Sequence, residues 1–121
     1  MILTVDIGGT KTRLATFNAD GGIAHEVKFA TLRDTNQFVN LLASTARSDF
    51  PDAQAVVVGA AGLFENGVIK SYSKLGWRDF SIVTELQKLL PGIPIWLEND
   101  CNLGALGAFS LYTPPHGVVC I

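Results

Sequence analysis

The first 30 residues consist of short apolar runs separated by turn residues. The pair Gly8-Gly9 separates the first run from the second. The triplet Asp20-Gly21-Gly22, a strong hairpin signal, separates the second run from the third. This pattern predicts three consecutive strands joined by hairpins, at residues 2–7, 12–17 and 23–30.

After residue 34 the apolar positions change from the spacing of strands to the spacing of a helix. An amphipathic helix is predicted there, with Asp34 or Thr35 as its N-cap and Pro51 marking the end of the segment. Its apolar stripe follows the spacing i, i+3, i+4, i+7, i+8 and consists of Phe38, Leu41, Leu42, Thr45 and Ala46.

Further along the chain, strands and helices alternate. Residues 55–58 form a β-branched run typical of a strand covered on both faces, and Glu65-Asn66-Gly67 is typical of a turn. The remaining predictions are strands at 68–72, 93–97 and 118–121, and helices at 81–90 and from about Asn99. The order βββ-α-β-(β)-α-β-α-β predicts an α/β domain with a mixed sheet. An antiparallel three-strand meander forms one edge, parallel strands follow it, and helices flank the sheet.

Composition limits the classes of function. The chain has 121 residues, 48% of them hydrophobic and 17% charged, which is typical of one globular domain. The net charge of -2 and the lack of a basic block argue against a nucleic-acid partner. Cys101 and Cys120 lack the spacing of a zinc site and are interpreted as reduced thiols. Without a signal peptide or an apolar run of roughly 20 residues, we expect a cytoplasmic protein with no membrane partner.

Unusual residues stand where three of the predicted strands end. The first strand ends in Asp-Ile-Gly-Gly at residues 6–9, a later one in Gly-Ala-Ala-Gly at 59–62, and the last central one in Glu-Asn-Asp at 98–100. Ligands of parallel α/β sheets bind beyond the carboxyl ends of the strands. We therefore expect these three groups to meet at one edge of the sheet.

The loop after the first strand contains groups suited to a phosphate and its metal ion. Gly8 and Gly9 let backbone N–H groups approach an anion closely. Thr10 adds a hydroxyl, and Lys11 adds charge if its strand phase points it inward. Asp6 is a candidate magnesium ligand, through water, because magnesium takes few protein ligands. The alternative is a simple β-turn with a surface lysine and a capping aspartate; the loop matches neither the Walker A pattern nor GxGxxG.

The acidic tripeptide at residues 98–100 also has two interpretations. Asn and Asp at a strand-to-helix junction are favoured N-caps, worth about 1 kcal/mol. In the functional interpretation, Asp100 accepts a hydroxyl proton from a polyol while Asn99 fixes neighbouring hydroxyls. Both hold together if one residue caps the helix and the other faces the ligand.

The other polar and aromatic residues give weaker signals. The stretch at 59–62 brings backbone into the cleft without side-chain bulk, or allows a helix to pack closely on its strand. Trp77 and Trp96 are interpreted as core residues rather than as platforms for a sugar. His25 and His116 are assigned no role. Four basic residues are interpreted as solvated surface charge: Arg33, Arg47, Lys70 and Lys74.

Three segments together resemble one known family. They are DIGGTKTRLATFNADGG, VVVGAAGLFENGVIKSYSKLGW and IPIWLENDCNLGALGAF, in this order and spacing. They resemble the N-terminal domain of the ROK and glucokinase group of sugar kinases, within the actin-like ATPase superfamily. The resemblance covers nearly the whole chain. It implies a ribonuclease-H-like fold and transfer of the ATP γ-phosphate to a hexose hydroxyl, with ATP and Mg²⁺ as cofactors.

The resemblance also implies roles for particular residues. The segment from Asp6 to Thr10 resembles the first phosphate loop of the family, with Lys11 beside it and Asp6 as the metal ligand. Asp100 matches the catalytic base that receives the proton of the sugar 6-hydroxyl. Asn99 matches a residue that binds sugar hydroxyls. Glu98 precedes that residue, and Gly62 lies where relatives bring backbone near the sugar.

Two departures from the family pattern affect what we expect. Relatives often have a sugar-contacting Asn shortly before the tryptophan that Trp77 resembles, where this chain has Ser73 or Lys74. The family's second phosphate motif, adenosine pocket, zinc cluster and second sugar-binding carboxylate all come later than Ile121. Residues 1–116 are therefore interpreted as the N-terminal lobe and 117–121 as the first strand of a second domain. We expect the chain alone to be inactive.

Two alternatives stay open beside the kinase. One is the sugar-sensing domain of a ROK-type repressor. Such proteins usually carry an N-terminal helix-turn-helix, which we do not expect here because Met1 lies next to the first strand; a DNA-binding segment upstream in the full gene would favour this alternative again. The other is a non-catalytic actin-like module. The expected partners are a hexose and ATP. The identity of the hexose and a homodimer of the full-length protein are left open.

Overall fold

The computed structural model describes residues 1–99. This part of the chain contains eight strands, two α-helices and one 3₁₀ turn, residues Ser73–Leu75. The strands are β1 (Ile2–Ile7), β2 (Lys11–Phe17), β3 (Ile23–Ala30), β4 (Ala55–Ala60), β5 (Leu63–Glu65), β6 (Val68–Tyr72), β7 (Trp77–Phe80) and β8 (Ile95–Asn99), and the helices are α1 (Thr35–Asp49) and α2 (Ile82–Leu89).

The main sheet has the strand order β3-β2-β1-β4-β8. β1 pairs antiparallel with β2, and β2 with β3, so the predicted meander is confirmed. β1 pairs parallel with β4, and β4 with β8. The mixed α/β architecture is therefore confirmed, with parallel strands after an antiparallel edge.

One face of the main sheet packs against the helices. Leu3, Val5 and Ile7 alternate along β1 and are fully buried on that face. α1 contributes Phe38 and Leu42 to the same core, as its apolar spacing predicts. The helix begins after Asp34, whose carboxylate accepts a hydrogen bond of 2.9 Å from the backbone N–H of Gln37. This confirms one of the two predicted N-caps, a contribution of about 1 kcal/mol.

A second, three-stranded sheet of order β5-β6-β7 was only partly predicted. The strand at 68–72 is confirmed as β6, and the predicted turn joins it to β5 through Asn66 and Gly67, with φ of 52° and 79°. β5 and β7 were missed. They have three and four residues, too few to show a period of two, and Asp79 in β7 has a φ of 48°.

The predicted bounds of several elements shift by a few residues. β4 runs to Ala60, past the predicted end at residue 58. β8 begins at Ile95 and includes Glu98 and Asn99, so the predicted third helix does not begin at Asn99. The rest of that helix, the strand at 118–121 and the domain boundary after 116 lie outside the described residues. Neither α-helix of the described part has the length and apolarity that crossing a bilayer requires.

The two tryptophans have different environments. Trp77 is 2% exposed, contacts Phe38 and Phe80, and donates a hydrogen bond of 2.8 Å from Nε1 to the carbonyl of Arg33. Its assignment to the core is confirmed. The same prediction is wrong for Trp96, which is 37% exposed. Trp96 lies mid-strand in β8, the last strand of the sheet within residues 1–99, and alternation turns it away from the core face.

Gly62 is expected to be indispensable for stability because it combines two constraints. Its φ is +99°, and a Cβ at this position would collide with the backbone carbonyl of Ser71. Gly21 has a similar φ of +89° with open space around it. In urea unfolding, Gly21→Ala should lose about 1–2 kcal/mol from the left-handed backbone. Gly62→Ala should lose about 1–3 kcal/mol more from overpacking; equal losses would contradict the packing argument.

Candidate functional site

The carboxyl ends of the three parallel strands are in register. Asp6 of β1 pairs with Gly59 of β4, and Gly59 pairs with Glu98 of β8. One residue further, Ile7 pairs with Ala60, and Ala60 with Asn99. The predicted meeting of the three strand ends is therefore confirmed as far as Asn99. Asp100 follows directly in the sequence and lies outside the described residues.

Two carboxylates share one face of the sheet at this edge. Residues paired across a ladder point to the same side, so Asp6 and Glu98 stand on either side of Gly59. Two strand spacings separate their Cα atoms, roughly 10 Å. Gly59 has no side chain, which leaves space between the two acids. Both are partly buried and lie on the face opposite Val5 and Ile7.

The loop between β1 and β2 is held by hydrogen bonds from a distant residue, Thr31. The N–H of Gly8 donates to the carbonyl of Lys11 at 2.9 Å, closing the turn. Thr31 donates from its hydroxyl to the carbonyl of Gly8 and from its N–H to that of Thr10, each at 2.9 Å. Its hydroxyl proton is thereby used, so Thr12, 2.8 Å away, donates to Thr31. The loop is fixed from both sides.

The groups that the loop presents have no partner in residues 1–99. The backbone N–H groups of Gly9 and Thr10 donate to no acceptor there, and the Asp6 carboxylate has neither a hydrogen bond nor an ion pair. In the described residues, Asp6 therefore does not cap the turn. Paired N–H donors in a glycine turn bind anions, and a partly buried carboxylate next to them binds a cation.

Lys11 lies at the start of β2, on the same face as Arg13, which pairs with Asp6. Its strand phase therefore turns it to the side of the sheet that carries Asp6, as the phosphate hypothesis requires. The Lys11 side chain is exposed, and no ion pair to it is present among the described residues. Lys11 is free to meet an anion at the loop.

The second sheet lies against the same loop. The hydroxyl of Tyr72, at the end of β6, donates to the carbonyl of Ile7 at 3.2 Å. Gly62 passes so close to Ser71 of β6 that a side chain would not fit. The neighbour is a strand and not the helix of the packing interpretation. Lys74 is exposed, as predicted for a surface charge, yet its methylenes lie along Gly9.

The contacts of Thr31 and Tyr72 with the glycine loop were not predicted from the sequence, and the reason is the same for both. Each is a single polar residue in an ordinary context, more than 20 positions from the carbonyl its hydroxyl reaches. The turn chemistry of Gly8-Gly9 was visible in the sequence. The residues that brace it became identifiable only when the strands were paired.

Comparisons with known proteins agree on one family. The ROK family model matches residues 2–113. A glucokinase of Thermotoga maritima is 31% identical over 113 residues, 88% of this chain and 35% of the relative. A ROK family glucokinase of Streptomyces griseus, solved with glucose and AMPPNP, superposes with a TM-score of 0.74 at 28% identity, over 92% of this chain and 37% of that one.

The matched relatives are much longer than this chain. The chain spans about a third of the length of the curated relatives it matches, 34% for the glucokinase of Halalkalibacterium halodurans. A ROK family transcriptional regulator homologous to MLC of E. coli superposes with a TM-score of 0.71 over 92% of this chain and 30% of that one, at 16% identity. At that identity the likeness shows the fold alone. The fold is that of the N-terminal domains of ROK kinases, of the actin-like ATPase type.

Thr31→Val should loosen the phosphate-loop candidate without unfolding the protein. The change removes the hydroxyl that donates to Gly8 O, so the Gly8 amide should exchange about fivefold faster, equivalent to about 1 kcal/mol. Thr45→Val is the matched control, because its hydroxyl donates at 2.8 Å within α1 to Leu41 O. Amide exchange by NMR measures both variants. Equal exchange of Gly8 in the two proteins would contradict the bracing role of Thr31.

Proposed function

The chain belongs to the ROK family, and we propose that it forms the N-terminal lobe of an ATP-dependent hexose kinase. The observation that carries this proposal is the shared sheet edge. It brings the Asp6 carboxylate and the N–H groups of Gly9 and Thr10, which have no acceptor in residues 1–99, to the end of the sheet where the strand leading into Asp100 also ends. A phosphate site and a hydroxyl-binding site then face one crevice.

The relatives support the class of reaction and its two substrates. Glucokinases recur among the matched proteins, and the Streptomyces griseus relative was solved with both glucose and the ATP analogue AMPPNP. The proposal for this chain is transfer of the γ-phosphoryl group of ATP to a sugar hydroxyl, the 6-hydroxyl by family resemblance.

The glycine loop is proposed to hold the donor phosphates. The N–H groups of Gly9 and Thr10 would donate to phosphate oxygens, with the Thr10 hydroxyl and Lys11 beside them, while Gly8 keeps the turn closed. Magnesium fits the residues present, since it binds through one or two carboxylates plus substrate phosphates. Asp6 would hold it. The ion would supply charge neutralisation on the transferring phosphoryl group.

The acceptor side is assigned by family resemblance. Asp100 would accept the proton of the attacking hydroxyl as the sugar oxygen bonds to the γ-phosphorus, and ADP leaves with the bond electrons. Asn99 and Glu98 would bind the other sugar hydroxyls, with the backbone at Gly62 close by. Phosphoryl transfer depends mostly on positioning and charge, so one well-placed carboxylate suffices as a base.

Substitution of Asp100 in the protein expressed from the full open reading frame tests the proposal. ADP formation is measured with glucose, N-acetylglucosamine and mannose. Asp100→Ala and Asp100→Asn should lower kcat about 100-fold or more. Asp52→Asn is the control. Asp52 is exposed and precedes β4, so it lies at the end of the sheet opposite to the candidate site. Activity of the Asp100 variants within tenfold of the unsubstituted protein would refute the base assignment.

The unsubstituted protein separates the remaining alternatives. Hexose binding without any ADP formation would refute the kinase and indicate the sugar-sensing function of a ROK-type repressor. A folded protein that binds none of the three hexoses would indicate the non-catalytic actin-like module. Both outcomes are measured in the same preparation by titration calorimetry and a coupled ADP assay.

A further inference from the structure

Lys74 lies against the glycine loop although it belongs to the other sheet of the molecule. A Cβ atom placed on Gly9 would stand 3.1 Å from Cδ and 3.4 Å from Cβ of Lys74. The lysine methylenes therefore run along the backbone of Gly9. Only two further bonds separate Cδ from the ammonium nitrogen, so the charge stays close to the loop.

The turn that carries Lys74 is anchored on both sides. Before it, Tyr72 donates to Ile7 O at 3.2 Å, which ties the end of β6 to the end of β1. After it, Trp77 is buried and donates at 2.8 Å to Arg33 O. Between them, Gly76 ends the 3₁₀ turn with a φ of 69°. The backbone under Lys74 is thus fixed relative to the loop, while its side chain remains exposed.

The lysines of residues 1–99 divide into two groups by their charge partners. Lys28, Lys70 and Lys88 each lie 3.4–3.6 Å from a carboxylate oxygen. Lys11 and Lys74 have no ion pair within the described part of the chain, and both lie beside the glycine loop. Gly9 and Thr10, whose N–H groups donate to no acceptor in residues 1–99, therefore have Lys11 directly after them in the chain and the Lys74 methylenes along Gly9.

We propose that Lys74 binds the terminal phosphates of the phosphoryl donor, which are held at Gly9 and Thr10. This inference rests on the proposed function, since it names a further group at the same site. Lys74 acts as a point charge delivered from the second sheet, and the absence of a side chain at Gly9 lets it approach. Lys74 contacts the phosphates and not the nucleoside. Loss of its charge should therefore weaken the binding of every donor with a polyphosphate chain equally.

The test uses the protein from the full open reading frame. Lys74→Met keeps the methylenes along Gly9 and removes the charge, and Lys74→Arg keeps a charge. Lys70→Met is the matched control, an exposed lysine on the same hairpin whose partner is Asp79 at 3.6 Å. Dissociation constants are measured by calorimetry for Mg²⁺-AMPPNP, for inorganic tripolyphosphate and for the hexose. Circular dichroism verifies that each variant is folded.

Lys74→Met should weaken the binding of AMPPNP and tripolyphosphate alike by about tenfold, as expected for one lost charge-assisted hydrogen bond. Lys74→Arg should restore most of the affinity, and Lys70→Met should change neither. Hexose affinity should stay the same. A Lys74→Met protein that binds both phosphate probes as tightly as the Lys70→Met protein overturns the inference. So does a loss confined to AMPPNP or to the hexose.

Failure of the proposed function gives a different result. If the unsubstituted protein phosphorylates no hexose while its tripolyphosphate affinity still depends on Lys74, the kinase proposal is refuted and the phosphate contact of Lys74 stands. If hexose is phosphorylated at full rate by Lys74→Met with an unchanged KM for ATP, the kinase proposal stands and the Lys74 contact is refuted.

Discussion

The parallel hydrogen-bonded ladder through β1, β4 and β8 is the constraint on which the site depends. It aligns Asp6, Gly59 and Glu98 in one row, so that Asp6 and Glu98, far apart in the chain, lie at the same end of the sheet. A slip of one residue in either pairing would turn a carboxylate toward the helices. The alternation of β1 opposes such a slip, because Leu3, Val5 and Ile7 would then leave the buried face.

The glycine loop depends on a second, smaller set of interactions. A turn of two glycines has many accessible conformations, and ordering it costs free energy when a ligand binds. Here the turn is already ordered when the protein folds, because Thr31 and Tyr72 hold the carbonyls on either side of it. Within the part of the chain that the structure describes, the N–H groups of Gly9 and Thr10 donate to no acceptor. A loop that is preorganised in this way needs less reorganisation to accept a phosphate.

The elements that were predicted correctly are those whose pattern is long or whose turn chemistry is strict. α1 has four turns with a regular apolar stripe, and the turn at Asn66-Gly67 requires positive φ at both positions. β5 and β7 have neither property and were missed. Trp96 is predicted to be a core residue because it lies mid-strand, but the exposure of a strand residue depends on what covers its face, which periodicity does not reveal.

The candidate site also has parts that were predicted from the sequence and parts that were not. The sequence by itself determined the class of fold, the strand ends at which the candidate site residues lie and the glycine turn suited to an anion, because these follow from local backbone preferences and from the periods of two and 3.6 residues. Tertiary structure alone decided that Glu98 shares a face with Asp6, that Thr31 and Tyr72 brace the loop, and that Lys74 lies along Gly9. These are contacts between segments far apart in the chain. Their formation depends on strand register and sheet packing, which no local pattern encodes.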